Sequence, residues 1–281
     1  MTRIAVPVRW GDLDAQGHVN NSAFADYLQE ARVDYLFGGG AATEALVTDG
    51  AIVVTQQIEY KAPIFFGSAP VTVDVWPCSV GAARFTLAYR LWQGEREVAV
   101  ARTKLCPYSL ASAEPCRLSA AARQWLLDQV EAAEPFQPLP WKPLKANARS
   151  APMRVRWSDI DAYGHVNNVL YFNYIMEGRI AFTAAAVPSV NASIDSGYLW
   201  FIVRQDVDYL KPMTFRVEPY VVRTGVSHMG RTSLTFVSEI VDRVGGDRYA
   251  QASTVAVFAD AHGHPIPVRE EWKQELAPYR V

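Results

Sequence analysis

The sequence predicts an α+β protein of two tandem modules, each a long helix packed on an antiparallel sheet. Three observations predict it. A fourteen-residue segment occurs twice, an amphipathic helical pattern follows each copy, and four β-rich runs follow each helix. The first module covers residues 1–133, a proline-rich linker 134–152, and the second module 153–281.

VRWGDLDAQGHVNN at Val8 to Asn21 returns as VRWSDIDAYGHVNN at Val155 to Asn168, with eleven of fourteen positions identical. Chance does not produce this. The register continues, since Phe24, Tyr27, Glu30 and Arg32 stand opposite Tyr171, Tyr174, Glu177 and Arg179 at a constant offset (171 − 24 = 147). Around Tyr60 and Tyr209 the offset becomes 209 − 60 = 149, so the second copy gains two residues, best placed in the irregular stretch from Pro188 to Gly197. EPCRLSAAARQW ahead of Trp125 also resembles HPIPVREEW ahead of Trp272, and the repeat spans nearly the whole chain.

Each module opens on a strand and then reaches the shared segment. After Asn21, the apolar positions Phe24, Tyr27, Leu28, Ala31 and Tyr35 follow helical spacing and give one buried stripe on a helix ending near Gly38. Tyr171, Tyr174, Ile175 and Phe182 repeat it. Asn20 and Asn21, like Asn167 and Asn168, stand where an N-cap is expected, because their side chains accept from the first free backbone donors. From Ala51 the texture turns to β in AIVVTQQIEY, PVTVDVW, ARFTLAYRLW and EVAVARTKLC, rich in β-branched and aromatic residues between turn residues. WFIVRQDVDY, PYVVRT, SLTFVSEIV and YAQASTVAVF are their second-copy counterparts. Between the modules, Pro135, Pro138, Pro140, Pro143 and Pro152 favour extended geometry, as in a crossing linker.

Composition narrows the function. The 281 residues are 50% hydrophobic, enough for a sizeable core, and 27 Lys plus Arg against 29 Asp plus Glu leave no basic excess for nucleic acid. Cys78, Cys106 and Cys116 are odd in number and lack CxxC spacing, as expected of reduced thiols in a cytoplasmic protein. MTRIAVPVRWGDLD offers no signal peptide, and no membrane insertion is expected. GxSxG, HExxH, P-loop and dinucleotide motifs are missing from the sequence. His262 and His264 form HGH in a turn, with no acidic or Cys partner expected nearby, a weak case for metal.

The segment DxDxxGHVNN with its following helix resembles the active-site turn of hotdog-fold acyl thioesterases, the 4-hydroxybenzoyl-CoA thioesterase-like group and the plant acyl-ACP thioesterases in particular. The resemblance implies hotdog modules that pair into a continuous sheet, here within one chain, with active sites at the pair interface. It also implies that the second Asp of each motif, Asp14 and Asp161, carries catalysis; spacing alone does not separate these from Asp12 and Asp159. His18 and His165 match the His of the plant motif, whose Asn two residues earlier is here Gln16 and Tyr163.

Thioester cleavage adds an oxygen nucleophile to a carbonyl and expels a thiolate whose conjugate acid has a pKa of roughly 8.5, so the leaving group needs little protonation. One carboxylate, as nucleophile or general base, and donors for the oxyanion suffice. Backbone N–H groups at the helix start, near Asn21 and Asn168, are the expected donors. Asn20 and Asn167 share that turn. Gly17 and Gly164 are either turn glycines or points of close approach to substrate, and His18 and His165 either position substrate or brace the turn. Glu30 and Glu177 lie beside the buried stripe as second-tier residues, facing solvent or the motif. Tyr60 and Tyr209 are expected in the core with satisfied hydroxyls.

The substrate expected is an acyl-CoA or acyl-ACP thioester, with no cofactor other than coenzyme A within that substrate, and a homodimer of double-hotdog chains is a possible assembly. Two other classes stay open: a non-catalytic acyl-CoA-binding hotdog protein, and an acyl-thioester hydratase or dehydratase. Trp200, Phe201, Phe65 and Phe66 are read as core rather than pocket lining. Arg84, Arg102, Lys104, Arg231 and Arg248 are candidate phosphate partners on strands.

Overall fold

The computed structural model describes residues 1–67, 69–112, 114–137, 139, 141–189, 199–260 and 262–281. The chain divides into two compact units, Met1–Gln137 and Pro138–Val281. In the first, strand β1 (Thr2–Val6) leads through a 3-10 turn (Trp10–Asp12) to the long helix α1 (Ala23–Phe37) and a short helix α2 (Ala45–Thr48). Strands β2 (Ala51–Tyr60), β3 (Val71–Val80), β4 (Phe85–Gln93) and β5 (Arg96–Ser109) follow, then the two-residue β6 (Glu114–Pro115) and helix α3 (Ala120–Leu127). The antiparallel sheet runs in the order β1-β3-β4-β5-β2.

The second unit repeats the plan. β7 (Arg149–Met153), a 3-10 turn (Trp157–Asp159) and α4 (Leu170–Ala186) precede β8 (Leu199–Tyr209), β9 (Tyr220–Met229), β10 (Ser233–Val241), β11 (Arg248–Ala259) and α5 (Glu270–Leu276). Its strand order, β7-β9-β10-β11-β8, matches the first unit's position by position.

The helical stripe does what its spacing predicts. Phe24, Tyr27, Leu28, Ala31 and Tyr35 are all buried, as are Tyr171, Tyr174, Ile175 and Phe182. Each large apolar side chain removed from water contributes roughly 1.5–3 kcal/mol, which is what fixes these helices on their sheets. α1 packs on β1 and β3, and α4 on β7, β9 and β10. The approach is closest at Gly178, where an added Cβ would lie 2.3 Å from Val222 Cγ1; its counterpart in the first unit is the fully buried Ala31. The second unit's core gathers Phe182, Phe236, Phe258 and Trp272, with Trp200 packed against them.

Two expectations need adjustment. Strand β7 begins at Arg149, inside the stretch assigned to the linker, because residues 149–153 pair with β9. Pro152 is accommodated there since β7 is paired on one side and a missing N–H costs an edge strand little. Phe65 and Phe66 are 43% and 46% exposed, not core, in the turn that follows β2. The stretch from Pro188 to Gly197, where the two-residue gain is placed, lies outside the described residues apart from Pro188 and Ser189.

Candidate active site

The repeated segment folds identically twice. In the first unit Leu13 and Val19 form an isolated antiparallel bridge. Between them, the Asp14 N–H donates to the His18 carbonyl at 2.9 Å and the Gly17 N–H to the Asp14 carbonyl at 3.1 Å. This is a small hairpin closed by a glycine in the left-handed region, with φ +80°. In the second unit, Ile160 and Val166 form the bridge, the Asp161 N–H reaches His165 at 2.8 Å, and Gly164 has φ +77°. A Cβ at either glycine would meet nothing within 4 Å. The glycines answer a backbone requirement within the protein, not a close contact.

Geometry separates the two aspartates of each motif. Asp12 is buried, and its carboxylate accepts from the Arg9 N–H at 3.0 Å and the Tyr27 hydroxyl at 2.7 Å. Asp159 is held the same way by the Arg156 N–H at 2.7 Å and the Tyr174 hydroxyl at 2.5 Å. Burial and this hydrogen bond raise both tyrosine pKa values well above the ordinary phenol. The first Asp therefore ties the 3-10 turn to the long helix. These tyrosine clamps were legible only indirectly: a buried stripe bearing Tyr rather than Phe at equivalent positions needs partners for its hydroxyls.

The second Asp is less enclosed. Asp14 Oδ1 accepts from the Gln16 N–H at 2.8 Å, and Asp161 Oδ1 from the Tyr163 N–H at 2.9 Å. The other oxygen distinguishes the units. Asp14 Oδ2 lies 3.2 Å from His18 Nδ1, an ion-pair separation without hydrogen-bond alignment, while His18 Nε2 lies 3.0 Å from Gln16 Oε1. Among the described residues Asp161 forms no such pair with His165, and Tyr163 occupies the position of Gln16. Burial pushes the Asp161 carboxyl above the usual range, opposed by the backbone N–H groups of Tyr163 and His165 and by the His165 charge.

The hairpin leads straight into the helix. Asn20 Oδ1 accepts from the Ser22 N–H at 3.1 Å, and Asn167 Oδ1 from the Val169 N–H at 3.3 Å; these asparagines close a turn just ahead of the helix, whose N-cap residues are instead Ser22 and Val169, neither capping through its side chain. At Asn21 and Asn168 the carbonyl is engaged instead, by the Tyr60 and Tyr209 hydroxyls at 3.0 Å each. Both tyrosines are half-buried, and they pin the loop–helix junction from the first strand after the helix. Glu30 and Glu177 are exposed, and neither meets the loop among the described residues.

A third copy of the turn serves as an internal control. Contrary to expectation, the HGH histidines do have an acidic partner. Asp260 Oδ1 accepts from the His262 and His264 N–H groups at 2.8 and 3.0 Å, and Gly263 has φ +83°. Asp260, Gly263 and His264 stand in the same relation as Asp14, Gly17 and His18. The Asp260 carboxyl, held chiefly by the His264 N–H, lies below the usual range. The same hairpin with a half-exposed carboxylate is thus an ordinary turn, and what sets Asp14 and Asp161 apart is their place just ahead of a long helix. No three His, Cys, Asp or Glu side chains converge to hold a metal ion among the described residues.

The family model of the thioesterase-like superfamily matches residues 8–126 and again residues 155–276. The chain belongs to the thioesterase-like superfamily. It is a thioester hydrolase with two hotdog units of α+β architecture. An oleoyl thioesterase from Lactobacillus plantarum superposes with a TM-score of 0.71 at 15% identity, covering 95% of this chain and 96% of that one. A 12:0-ACP thioesterase from Umbellularia californica gives 0.70 at 16% identity, over 92% and 94% of the chains. An acyl-ACP thioesterase from Bacteroides thetaiotaomicron gives 0.66 at 15% identity, over 92% and 97%. At such identities the likeness is one of fold. No curated protein matches the chain in sequence. No helix among the described residues is long and apolar enough to cross a membrane.

Of the remaining candidates, Arg102 donates to the Glu134 carbonyl and lies over Phe136, and Arg248 lies over Trp141 with Glu239 at 3.7 Å. These two are engaged within their own units. Cys78, Cys106 and Cys116 are free thiols.

Proposed function

We propose that this thioesterase hydrolyses acyl-CoA or acyl-ACP thioesters with Asp14 and Asp161 as the reacting carboxylates. The observation that carries the proposal is the division of labour within each motif. Asp12 and Asp159 are consumed in bracing the turn, whereas Asp14 and Asp161 are tied to the backbone through one oxygen and half-exposed. As general base, the carboxylate takes a proton from water; the hydroxide adds to the thioester carbonyl, the C–S bond breaks, and thiolate and free acid leave. As nucleophile, it forms a mixed anhydride with loss of the thiolate, and water then hydrolyses the anhydride.

The positive ends of α1 and α4, beginning beside Asn21 and Asn168, supply the oxyanion with N–H donors. Gly17 and Gly164 hold the hairpin, and His18 orients Asp14. A cytoplasmic location and a homodimer of two-repeat chains belong to the same proposal, the second checked by light scattering during size-exclusion chromatography.

The test is thiol release, followed with a thiol-reactive dye, across short, long, branched and aromatic acyl-CoAs and an acyl-ACP. Turnover on at least one class supports the proposal and names its substrate. No release from any member overturns it.

A further inference from the structure

Each unit bears an exposed pair of aromatic rings at its repeated loop, and among the described residues only the Trp of the second pair follows directly on an arginine that makes no ion pair. In the first unit Trp10 and Phe66 meet edge to face at 5.4 Å; in the second, Trp157 and Phe215 do so at 5.2 Å. Trp10 and Trp157 are 73% and 78% exposed, which no folding argument explains for the largest apolar side chain. Both pairs are anchored on the loop. Each Trp opens the 3-10 turn that ends at the buried Asp, and each Phe lies two residues beyond a carbonyl, of Ile64 or Met213, that accepts from the Val19 or Val166 N–H at 2.8 Å.

The neighbouring arginines differ. Arg9 is neutralised by Asp12 at 3.1 Å and by Asp26 on α1. In the second repeat the residue opposite Asp26 is Asn173 (26 + 147), and among the described residues Arg156, which is exposed, makes no ion pair. Exposed aromatic ring faces that follow directly in the chain on an arginine without an ion pair suit a ligand that is aromatic at one end and phosphorylated at the other.

We propose that Arg156 and the Trp157–Phe215 pair receive the phosphorylated adenine nucleotide of a coenzyme A thioester, and that the neutralised first repeat does not. This deepens the assignment of Asp161 as a reacting carboxylate and rests on it. Arg156 and Asp161 are five residues apart, which caps their separation at about 18 Å, a distance the pantetheine arm can bridge. An acyl carrier protein substrate has no adenine and would gain nothing from this surface.

The experiment is calorimetric titration of the full chain with free coenzyme A and with pantetheine, which lacks the nucleotide, followed by KM measurements on the matching acyl thioesters. Wild type should bind coenzyme A at least about tenfold more tightly than pantetheine, the worth of one good charge-assisted phosphate contact. That advantage should vanish in Arg156→Gln and in Trp157→Leu, and also in Asn173→Asp, which places at Arg156 the carboxylate that quenches Arg9. Trp10→Leu should retain it. Equal affinity of wild type for the two ligands, or an advantage that survives Arg156→Gln and Asn173→Asp, overturns the proposal. Because binding is read without turnover, loss of hydrolysis on every thioester would defeat the catalytic assignment while leaving this result legible.

Discussion

Replacing Asp159 by Ala should destabilise the second unit far more than replacing Asp161, although the two residues are separated by one position. Asp159 is buried and satisfies the Arg156 N–H and the Tyr174 hydroxyl, so truncation strands two donors that water reaches poorly. At about 1–3 kcal/mol for each unsatisfied buried donor, the loss is roughly 2–6 kcal/mol. For a unit of this size, a loss of 3 kcal/mol within that range lowers Tm by about 6–12 °C. Asp161→Ala gives up the acceptor of the Tyr163 and His165 N–H groups in a half-exposed turn, and also removes a carboxylate that burial disfavours; its net cost should be about 1 kcal/mol. Thermal unfolding followed by circular dichroism, with urea titration as a second measure, decides the matter. An Asp161→Ala protein as destabilised as Asp159→Ala would refute the division of roles between the two carboxylates.

Other outcomes follow from the same geometry. The Asp161 carboxyl lies above its unfolded value because of burial, so the native state binds this proton more tightly and stability falls as pH rises from the unfolded to the folded pKa. Asp161→Asn should therefore unfold at a higher temperature than wild type at pH 7, with the gap closing as pH drops below the ordinary aspartate range; a gap that widens on acidification contradicts this. Gly164→Ala, forced to φ +77°, should cost about 1–2 kcal/mol in urea unfolding despite the open space around it, and a neutral result would mean the hairpin relaxes. Gly178→Val should lose at least about 1–3 kcal/mol from overpacking against Val222, visible as a lower urea midpoint. Tyr209→Phe, which frees the Asn168 carbonyl, should cost about 0.5–1.5 kcal/mol and lower kcat more than it raises KM; unchanged kcat would show that the junction needs no pin.

Much of the fold was legible because periodicity and duplication reinforce each other. The strand at Ser233–Val241 matches SLTFVSEIV residue for residue, and the helix from Ala23 to Phe37 buries the stripe that its spacing marks. The start of β7 was obscured because Pro152 and its neighbours carry no β signal of their own; their pairing with β9 is tertiary. Phe65 and Phe66 were misread as core because hydrophobicity alone does not say which turn lacks a cover. Within the site, the sequence marked the loop but left its two aspartates equivalent. Their separation depends on the Tyr27 and Tyr174 hydroxyls arriving from the helix, a contact over fifteen residues that no local pattern encodes. Likewise the turn at Asp260 matches the motif in residues and bonds, and the absence of a long helix directly after it sets it apart.

The most direct measurement is thiol release by a folded Asp14→Asn, Asp161→Asn double variant, on the thioester that wild type hydrolyses best. If these carboxylates react with substrate or activate water, release should fall to about the uncatalysed rate, a loss of at least 100-fold, with Tm no lower than that of wild type. Release at the wild-type rate from the folded double variant would show that the chemistry lies elsewhere.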